Sequence, residues 1–210
     1  ILRTESSIML IEHILKEGVS DIAVFYGGRF QPMHKAHQDV YNHLVNKFGA
    51  DNVFIATSFS QKAIKAHSKG DYSSDPFTFD EKASIMNKMF NIPGDKIIKT
   101  NPYRPDLAAI GKDPETTATI LVYGAKDADR LATGTGFLHK MPDNMDELIP
   151  TAQDRGYVYV APLMQGGMSA SDFRQTMASE ASPEQKQQEF TKFFGKMDPQ
   201  VFGFIEERLT

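Results

Sequence analysis

The chain of 210 residues contains no cysteine and no tryptophan. Without cysteine there is no disulfide framework, no thiolate metal site and no thiol nucleophile. A cytoplasmic location is the simplest expectation. No apolar run approaches the roughly 20 residues that a membrane-spanning helix needs. No signal-peptide pattern is visible, although the sequence begins at Ile1 rather than Met. Basic charge is not in excess either. Lys and Arg number 23 against 27 Asp and Glu, a formal net charge of −4. That argues against a general nucleic-acid binder or a membrane-surface binder, whose footprint is basic. There is no internal repeat and no low-complexity tract. Apolar residues make up 40% of the chain, enough to bury a core within one domain or one domain with a small appendage.

Chemistry concentrates in Val24–His37, which reads VFYGGRFQPMHKAH. An apolar run ends in Gly27 and Gly28, a short loop follows, and a helical pattern begins near Lys35. His34 and His37 are three apart, so they share one face of that helix start. The first turn of a helix presents free N–H groups and the positive end of its dipole, a place to hold an anion. A plain turn, a solvated histidine pair or half of a metal site would fit the same letters.

The rest of the pattern alternates strands and helices. Strands are expected at Ile22–Tyr26, Asn52–Thr57, Lys96–Lys99, Thr117–Tyr123 and Tyr157–Ala161. Helices are expected over 6–17, 35–48, Thr78–Phe90, Ser169–Ala178 and Pro199–Leu209. Thr78 and Glu81 have the spacing of a capping box. Such alternation predicts an α/β fold: a Rossmann-like parallel sheet of about five strands with helices on both faces, plus a C-terminal helical segment. Ser58–Pro76 reads as a polar loop carrying Lys62, Lys65, His67 and Lys69, either a basic lip over a ligand or a solvated loop. Residues 180–189 read as a linker or surface segment, and Phe190, Phe193 and Phe194 as a short amphipathic turn. The expected organisation is an N-terminal helix in 1–19, a main domain in 20–180 with an insertion near 128–155, and a helical appendage in 181–210. In parallel sheets ligands bind outside the carboxyl ends of strands. The Gly27–Gly28 loop, Gly124–Asp127 and Ser169–Arg174 each follow a strand and so fall on one edge.

Three segments carry a resemblance. Gly28–His37 (GRFQPMHKAH) resembles the HxGH signature of the nucleotidyltransferase superfamily, in the form found in archaeal-type nicotinamide mononucleotide adenylyltransferases. Asp75–Lys82 (DPFTFDEK) is similar to that family's NPFTxxER helix start. Met168–Arg174 (MSASDFR) is similar to its ISxTxIR motif. The resemblance implies transfer of a nucleoside monophosphate, AMP from ATP in the first place, to a phosphate-bearing acceptor such as nicotinamide mononucleotide, with release of pyrophosphate. That chemistry belongs to NAD biosynthesis. The implied catalytic residues are His34, His37 and Arg174. The implied nucleotide- and phosphate-binding residues are Gly27, Gly28, Arg29, Phe30, Lys126, Asp127, Ser169 and Ser171. Mg²⁺ is expected to arrive with the triphosphate, whose oxygens supply most of its ligands, and no protein metal site is expected.

Simpler roles compete at several of these positions. Arg29 suits phosphate by its fork geometry but equally a surface salt bridge. Ser169 or Ser171 can cap a helix while also serving an anion. Asp127 can neutralise Lys126. His67 is expected at the surface. The sequence also departs from the family. Ala36 stands where the signature has glycine, and the tryptophan that stacks on nicotinamide is missing, with Tyr103 a substitute that nothing places. The acceptor therefore stays open. So does ATP against CTP, since a cytidylyltransferase or another adenylyltransferase, such as a pantetheine-phosphate enzyme, shares the chemistry. A catalytically inactive nucleotide-binding or structural module is the alternative of another class. Class I aminoacyl-tRNA synthetases share the HxGH idea, but their second motif is only faintly echoed in Gly167–Ser171 and no tRNA-binding domain is visible. No membrane or nucleic-acid partner is expected, and a homo-oligomer is compatible with the sequence.

Overall fold

A computed structural model describes residues 18–124, 136–162 and 168–210. The expected helix over 6–17, Lys126 and Asp127 lie outside these residues. The described strands are β1 (Asp21–Gly27), β2 (Val53–Thr57), β3 (Ile97–Lys99), β4 (Thr117–Tyr123), β5 (Leu138–Lys140) and β6 (Gly156–Val160). The described helices are α1 (Lys35–Phe48), α2 (Gln61–His67), α3 (Phe79–Phe90), α4 (Ala170–Ala178), α5 (Pro183–Phe194) and α6 (Pro199–Leu209). The strands form one sheet in the order β3-β2-β1-β4-β6-β5. Pairings β2–β3, β4–β6 and β5–β6 are all parallel. The fold is therefore α/β and Rossmann-like, with one strand more than expected. The extra strand is β5, three residues long, in the segment to which the sequence assigned no strand. It pairs Leu138 with Gly156 and Lys140 with Val158.

By contacts the chain divides into two compact units, Ile1–Phe25 with Asp106–Ala161 and Tyr26–Pro105 with Pro162–Thr210. In the first, β4 is buried at all seven positions. That is why its second half, ILVY, runs apolar rather than alternating, while Thr117 and Thr119 are buried polar residues before it. Its neighbour β6 begins at Gly156, where an added Cβ would lie 2.5 Å from the Phe137 ring, so only glycine lets that ring close over the strand. Thr151 donates its hydroxyl to the Thr117 carbonyl at 2.8 Å. Lys112 pairs with Asp21 at the start of β1.

The second unit holds all six described α-helices and β2–β3. The spacing predicts an inward face of Val40, Tyr41, Leu44, Val45 and Phe48; helix α1 buries all of these but Val45, which is half-buried, and Gly49 ends it at φ 86°. Helix α3 starts with the predicted box: Glu81 N–H donates to Thr78 Oγ1 and Thr78 N–H to Glu81 Oε2. Helix α6 starts at Pro199, as predicted for a first position. Two readings need correction. The stretch 58–76 is not all loop, because Ser60 caps α2 by accepting from Ala63 N–H at 3.1 Å. The segment 180–189 is not a linker but most of α5. Ser182 caps it, Pro183 is its first residue, Gln185 closes the box and Gly195 stops it. Its polar residues face water, while Lys186, Phe190, Phe193 and Phe194 are buried on one side.

Those phenylalanines make an aromatic cluster with α4. Phe173 stacks on Phe193 at 4.0 Å between centroids and meets Phe194 edge-on at 5.7 Å. Phe190 packs on Phe194 at 4.6 Å. Arg208 fastens α6 to the start of α3 by pairing with Glu81 and donating to the Pro76 carbonyl. Phe173 is fully buried. Phe173→Ala should lower unfolding free energy by about 3–5 kcal/mol, the usual range for a buried aromatic truncated to alanine. Urea denaturation followed by circular dichroism measures this.

Candidate active site

The glycine pair closes β1 and turns the chain. Gly28 donates its N–H to the Ala56 carbonyl at 3.1 Å. A Cβ on Gly28 would lie 2.6 Å from the Phe30 ring, and one on Gly27 would lie 2.9 Å from Pro102 Cβ. Both glycines are therefore needed for close approach. Phe30 itself sits at φ 46°. For a bulky residue this left-handed backbone costs on the order of 1–3 kcal/mol and persists only when the surroundings over-determine it.

The surroundings do so. The Arg29 carbonyl, before Phe30, accepts from the Lys82 ammonium at 3.1 Å. The Gln31 carbonyl, after it, accepts from Arg174 Nη1 at 2.7 Å. The Gln31 side chain, 4% exposed, makes a two-way pair with the backbone of Phe77. Nε2 donates to the Phe77 carbonyl and Oε1 accepts the Phe77 N–H, both at 3.0 Å. The Gln31–Pro32 peptide is cis. The loop then enters α1 with His34 at the N-cap.

His34 and His37 stack, with centroids 3.7 Å apart and planes 25° from parallel. His34 N–H donates to His37 Nδ1 at 3.4 Å. With Nδ1 accepting, the proton of neutral His37 sits on Nε2, which is then a donor. Phe30 meets the His37 ring edge-on at 5.2 Å, and Phe193 meets His34 edge-on at 5.1 Å. His34 is buried, and its Nδ1 has no hydrogen-bond partner among the described residues. Burial lowers the His34 pKa to about 4. Burial, reinforced by the neighbouring His34, lowers that of His37 to about 3. Both rings are therefore neutral at pH 7, and this is neither a solvated pair nor a charged one.

Arg174, on α4, spans from the Gln31 carbonyl to Ser171 Oγ at 3.4 Å. Burial lowers its pKa, and the nearby Arg29 charge lowers it further. Ser169 is the N-cap of α4, its Oγ accepting from Asp172 N–H at 3.2 Å. Arg29 is committed elsewhere. Its Nη2 donates to Asp75 Oδ1 at 2.9 Å and to the Ser74 carbonyl at 2.8 Å, and its side chain is 70% exposed. The salt-bridge alternative thus describes Arg29 in this conformation. Arg29, Arg174, Lys62, Asp71, Asp75 and Ser74 line one cleft of about 400 Å³. Of the expected basic lip, Lys62 and His67 also line it, whereas Lys65 and Lys69 do not.

His67 is not a free surface group. Its Nε2 bonds the Asp75 carbonyl at 2.6 Å, and its ring packs edge-on against Phe59 and Tyr72. Tyr103 is 52% exposed. Ala36 is half-buried on α1. Lys82 and Gln31 escaped the expected site set. Lys82 is 1% exposed, donates to Arg29 O, Thr57 Oγ1 and Ser58 O at 3.1, 2.7 and 2.8 Å, and burial lowers its pKa to about 8. Its partners lie 53, 25 and 24 residues away in sequence, so no local pattern marks it.

No protein-family model matches the chain, and no curated protein matches it. Solved structures align with it only weakly. A Plasmodium falciparum nicotinic acid mononucleotide adenylyltransferase complexed with APC aligns with a TM-score of 0.49 at 15% identity, covering 89% of this chain and 95% of that one. The same enzyme complexed with NaAD gives 0.48 at 14%, covering 89% and 95%. A Francisella tularensis bifunctional NMN adenylyltransferase/ADP ribose pyrophosphatase complexed with AMP and a Mn ion gives 0.48 at 15%, covering 89% of this chain and 48% of that one. At this level of similarity the matches bear on neither substrate nor activity.

The neutral rings have a consequence for stability. As pH falls, the unfolded chain takes up protons near the ordinary histidine value of about 6.5, well before the folded rings at about 4 and 3. Their contribution is complete above about pH 6.5 and is lost as pH falls toward 4. The melting temperature should drop more steeply between pH 7 and pH 4.5 in the wild type than in His34→Asn/His37→Asn. Differential scanning calorimetry across that range checks it.

Proposed function

We propose that the protein is a nucleotidyltransferase that moves a nucleoside monophosphate from a triphosphate, ATP in the first place, to a phosphate-bearing acceptor such as nicotinamide mononucleotide. The observation that carries this reading is the convergence of His34, His37 and Arg174 on one loop. Two neutral imidazoles stack at the start of α1, and Arg174 is fixed to the carbonyl of Gln31, three residues before His34.

The acceptor's phosphate oxygen attacks the α-phosphorus. A new P–O bond forms, the bond to the α–β bridging oxygen breaks, and pyrophosphate leaves. Charge grows on the α-phosphoryl and bridging oxygens. Fixed donors aimed at that charge lower the barrier without reorganising. His37 Nε2–H is such a donor, since its Nδ1 is occupied. The buried His34 ring and the half-buried His37 ring hold their orientation through stacking and through Phe30 and Phe193. The free N–H groups of the first turn of α1 add to the same field. Arg174 and Ser171, already in contact, serve the β- and γ-phosphates. The backbone approaches closely at Gly27 and Gly28, and Ser169 orders the start of α4. No covalent intermediate is required, which suits a chain without cysteine.

Among the described residues, no three or more His, Cys, Asp or Glu side chains are grouped to hold an ion. In this reading the divalent cation belongs to the substrate, Mg²⁺ riding on the triphosphate oxygens. No described helix is long and apolar enough to cross a membrane.

The test is pyrophosphate release with ATP or CTP against a panel of phosphate-bearing acceptors, nicotinamide mononucleotide first. His37→Ala should reduce kcat by about 10²–10³, the loss typical of removing one oxyanion donor. Unchanged release in His37→Ala would show that the imidazole is not catalytic, and no release from the wild type with any substrate pair would leave a nucleotide-binding module.

A further inference from the structure

We infer that Lys82 is a positioning residue for this site. It holds the Arg29 carbonyl so that the left-handed turn at Phe30 delivers His34 and His37 in their stacked arrangement. The inference rests on the proposed reaction for its kinetic arm only.

Burying an ammonium is unfavourable unless all its donors are satisfied. Lys82 meets that condition in an unusual way. Its three donors go to Arg29 O, Thr57 Oγ1 and Ser58 O, and the side chain is 1% exposed. Its two backbone acceptors are the last residue before the strained turn and the first residue after β2. Were the position needed for packing alone, an apolar residue would fill it without the desolvation penalty, as it does one turn on at Ile85 and Met86. The ammonium instead reaches out of α3 and immobilises a carbonyl that ordinary secondary structure does not engage.

The arrangement is two-sided. Phe30 at φ 46° is flanked by two carbonyls, and each is held by a cationic side chain from a different helix: Arg29 O by Lys82 of α3, Gln31 O by Arg174 of α4. A strained residue stays strained only when both neighbours are fixed. The Phe30 ring lies against Gly28 and edge-on to His37 at 5.2 Å. Relaxing φ toward the ordinary negative region would swing that ring away from His37. The imidazole would then lose the wall that sets its tilt. Arg174 has a second task facing phosphate, whereas all three donors of Lys82 are engaged within the protein. Its effect on the site therefore passes through the groups it holds, the Arg29 carbonyl before the turn and Thr57 and Ser58 at the end of β2.

The experiment compares Lys82→Met with Ile85→Ala, an apolar truncation one turn along the same helix, which serves as the control for lost stability. Two readouts are taken. The first needs no substrate: ¹⁵N-edited NMR of the histidine side chains, which separates the Nδ1–H and Nε2–H tautomers. Wild type should show His37 protonated on Nε2, Lys82→Met should show mixed tautomers or exchange, and Ile85→Ala should match wild type. The second is pyrophosphate release, where Lys82→Met should lose about 10- to 100-fold in kcat with KM for the triphosphate within about threefold. Should Lys82→Met fail to fold, Lys82→Gln, which keeps a shorter neutral donor, is read in the same two assays. Wild-type histidine signals in a folded Lys82 variant would overturn the inference, as would a loss confined to KM. If instead no substrate pair releases pyrophosphate in wild type, the proposed reaction fails while the NMR comparison still decides the role of Lys82.

Discussion

The unfavourable backbone at Phe30 is the constraint on which the site depends. A phenylalanine held at positive φ would ordinarily relax. Here it is gripped by hydrogen bonds to the carbonyls on either side, and its ring is wedged against Gly28. From that fixed point the chain has few choices. Gln31 locks onto the backbone of Phe77, the loop enters α1, and His34 takes the N-cap. The glycines before the turn are there for space, since a methyl group at either would collide with a neighbour. Local strain is offset by long-range contacts, and the result is a rigid cradle at a helix start.

Charge is distributed with the same economy. Of the cations nearest the loop, Lys82 is consumed by two backbone carbonyls and the Thr57 hydroxyl, and Arg29 by Asp75 and Ser74. Arg174 is half committed, one nitrogen on a carbonyl and another on a hydroxyl. The exposed Arg29–Asp75 pair contributes little to stability, about 0–1 kcal/mol for such pairs. The imidazoles carry no charge at neutral pH. At rest the cradle is thus a set of oriented dipoles and partly neutralised cations rather than a bare positive patch, consistent with a chain of net charge −4.

Much of this was legible in the letters, for reasons that can be stated. Strand β4 stood out because its second half, Ile120–Tyr123, is a continuous apolar and β-prone run in a fully buried strand. The helix at 35–48 was bounded by a histidine-bearing loop and Gly49 and had a clean four-residue stripe. Helix α5 was missed because Gln, Glu and Lys dominate its composition. Yet Ser182, Pro183, Gln185 and Gly195 mark its start and stop, and Lys186, Phe190, Phe193 and Phe194 follow helical spacing. Strand β5 is too short to show periodicity. The histidines were found from spacing, but their neutrality was not, since it comes from Phe193 and from burial. Arg29 could be read two ways, and only geometry chose Asp75. Lys82 sat in view within DPFTFDEK, but an ammonium aimed at carbonyls 24 and 53 residues away leaves no mark in the sequence.

Phe193 carries one more implication. It lies in α5, beyond every recognisable motif, yet its edge closes over the His34 ring, and Phe173 stacks on its face. A shortened protein ending before that helix would retain all three signature segments letter for letter. It would also let water flood the imidazole, which would regain an ordinary solution acidity and switch charge in the middle of the physiological range. Preserving a signature is thus not the same as preserving the dielectric that makes the signature work, and in this chain that dielectric is encoded about 160 residues downstream of the histidine it governs.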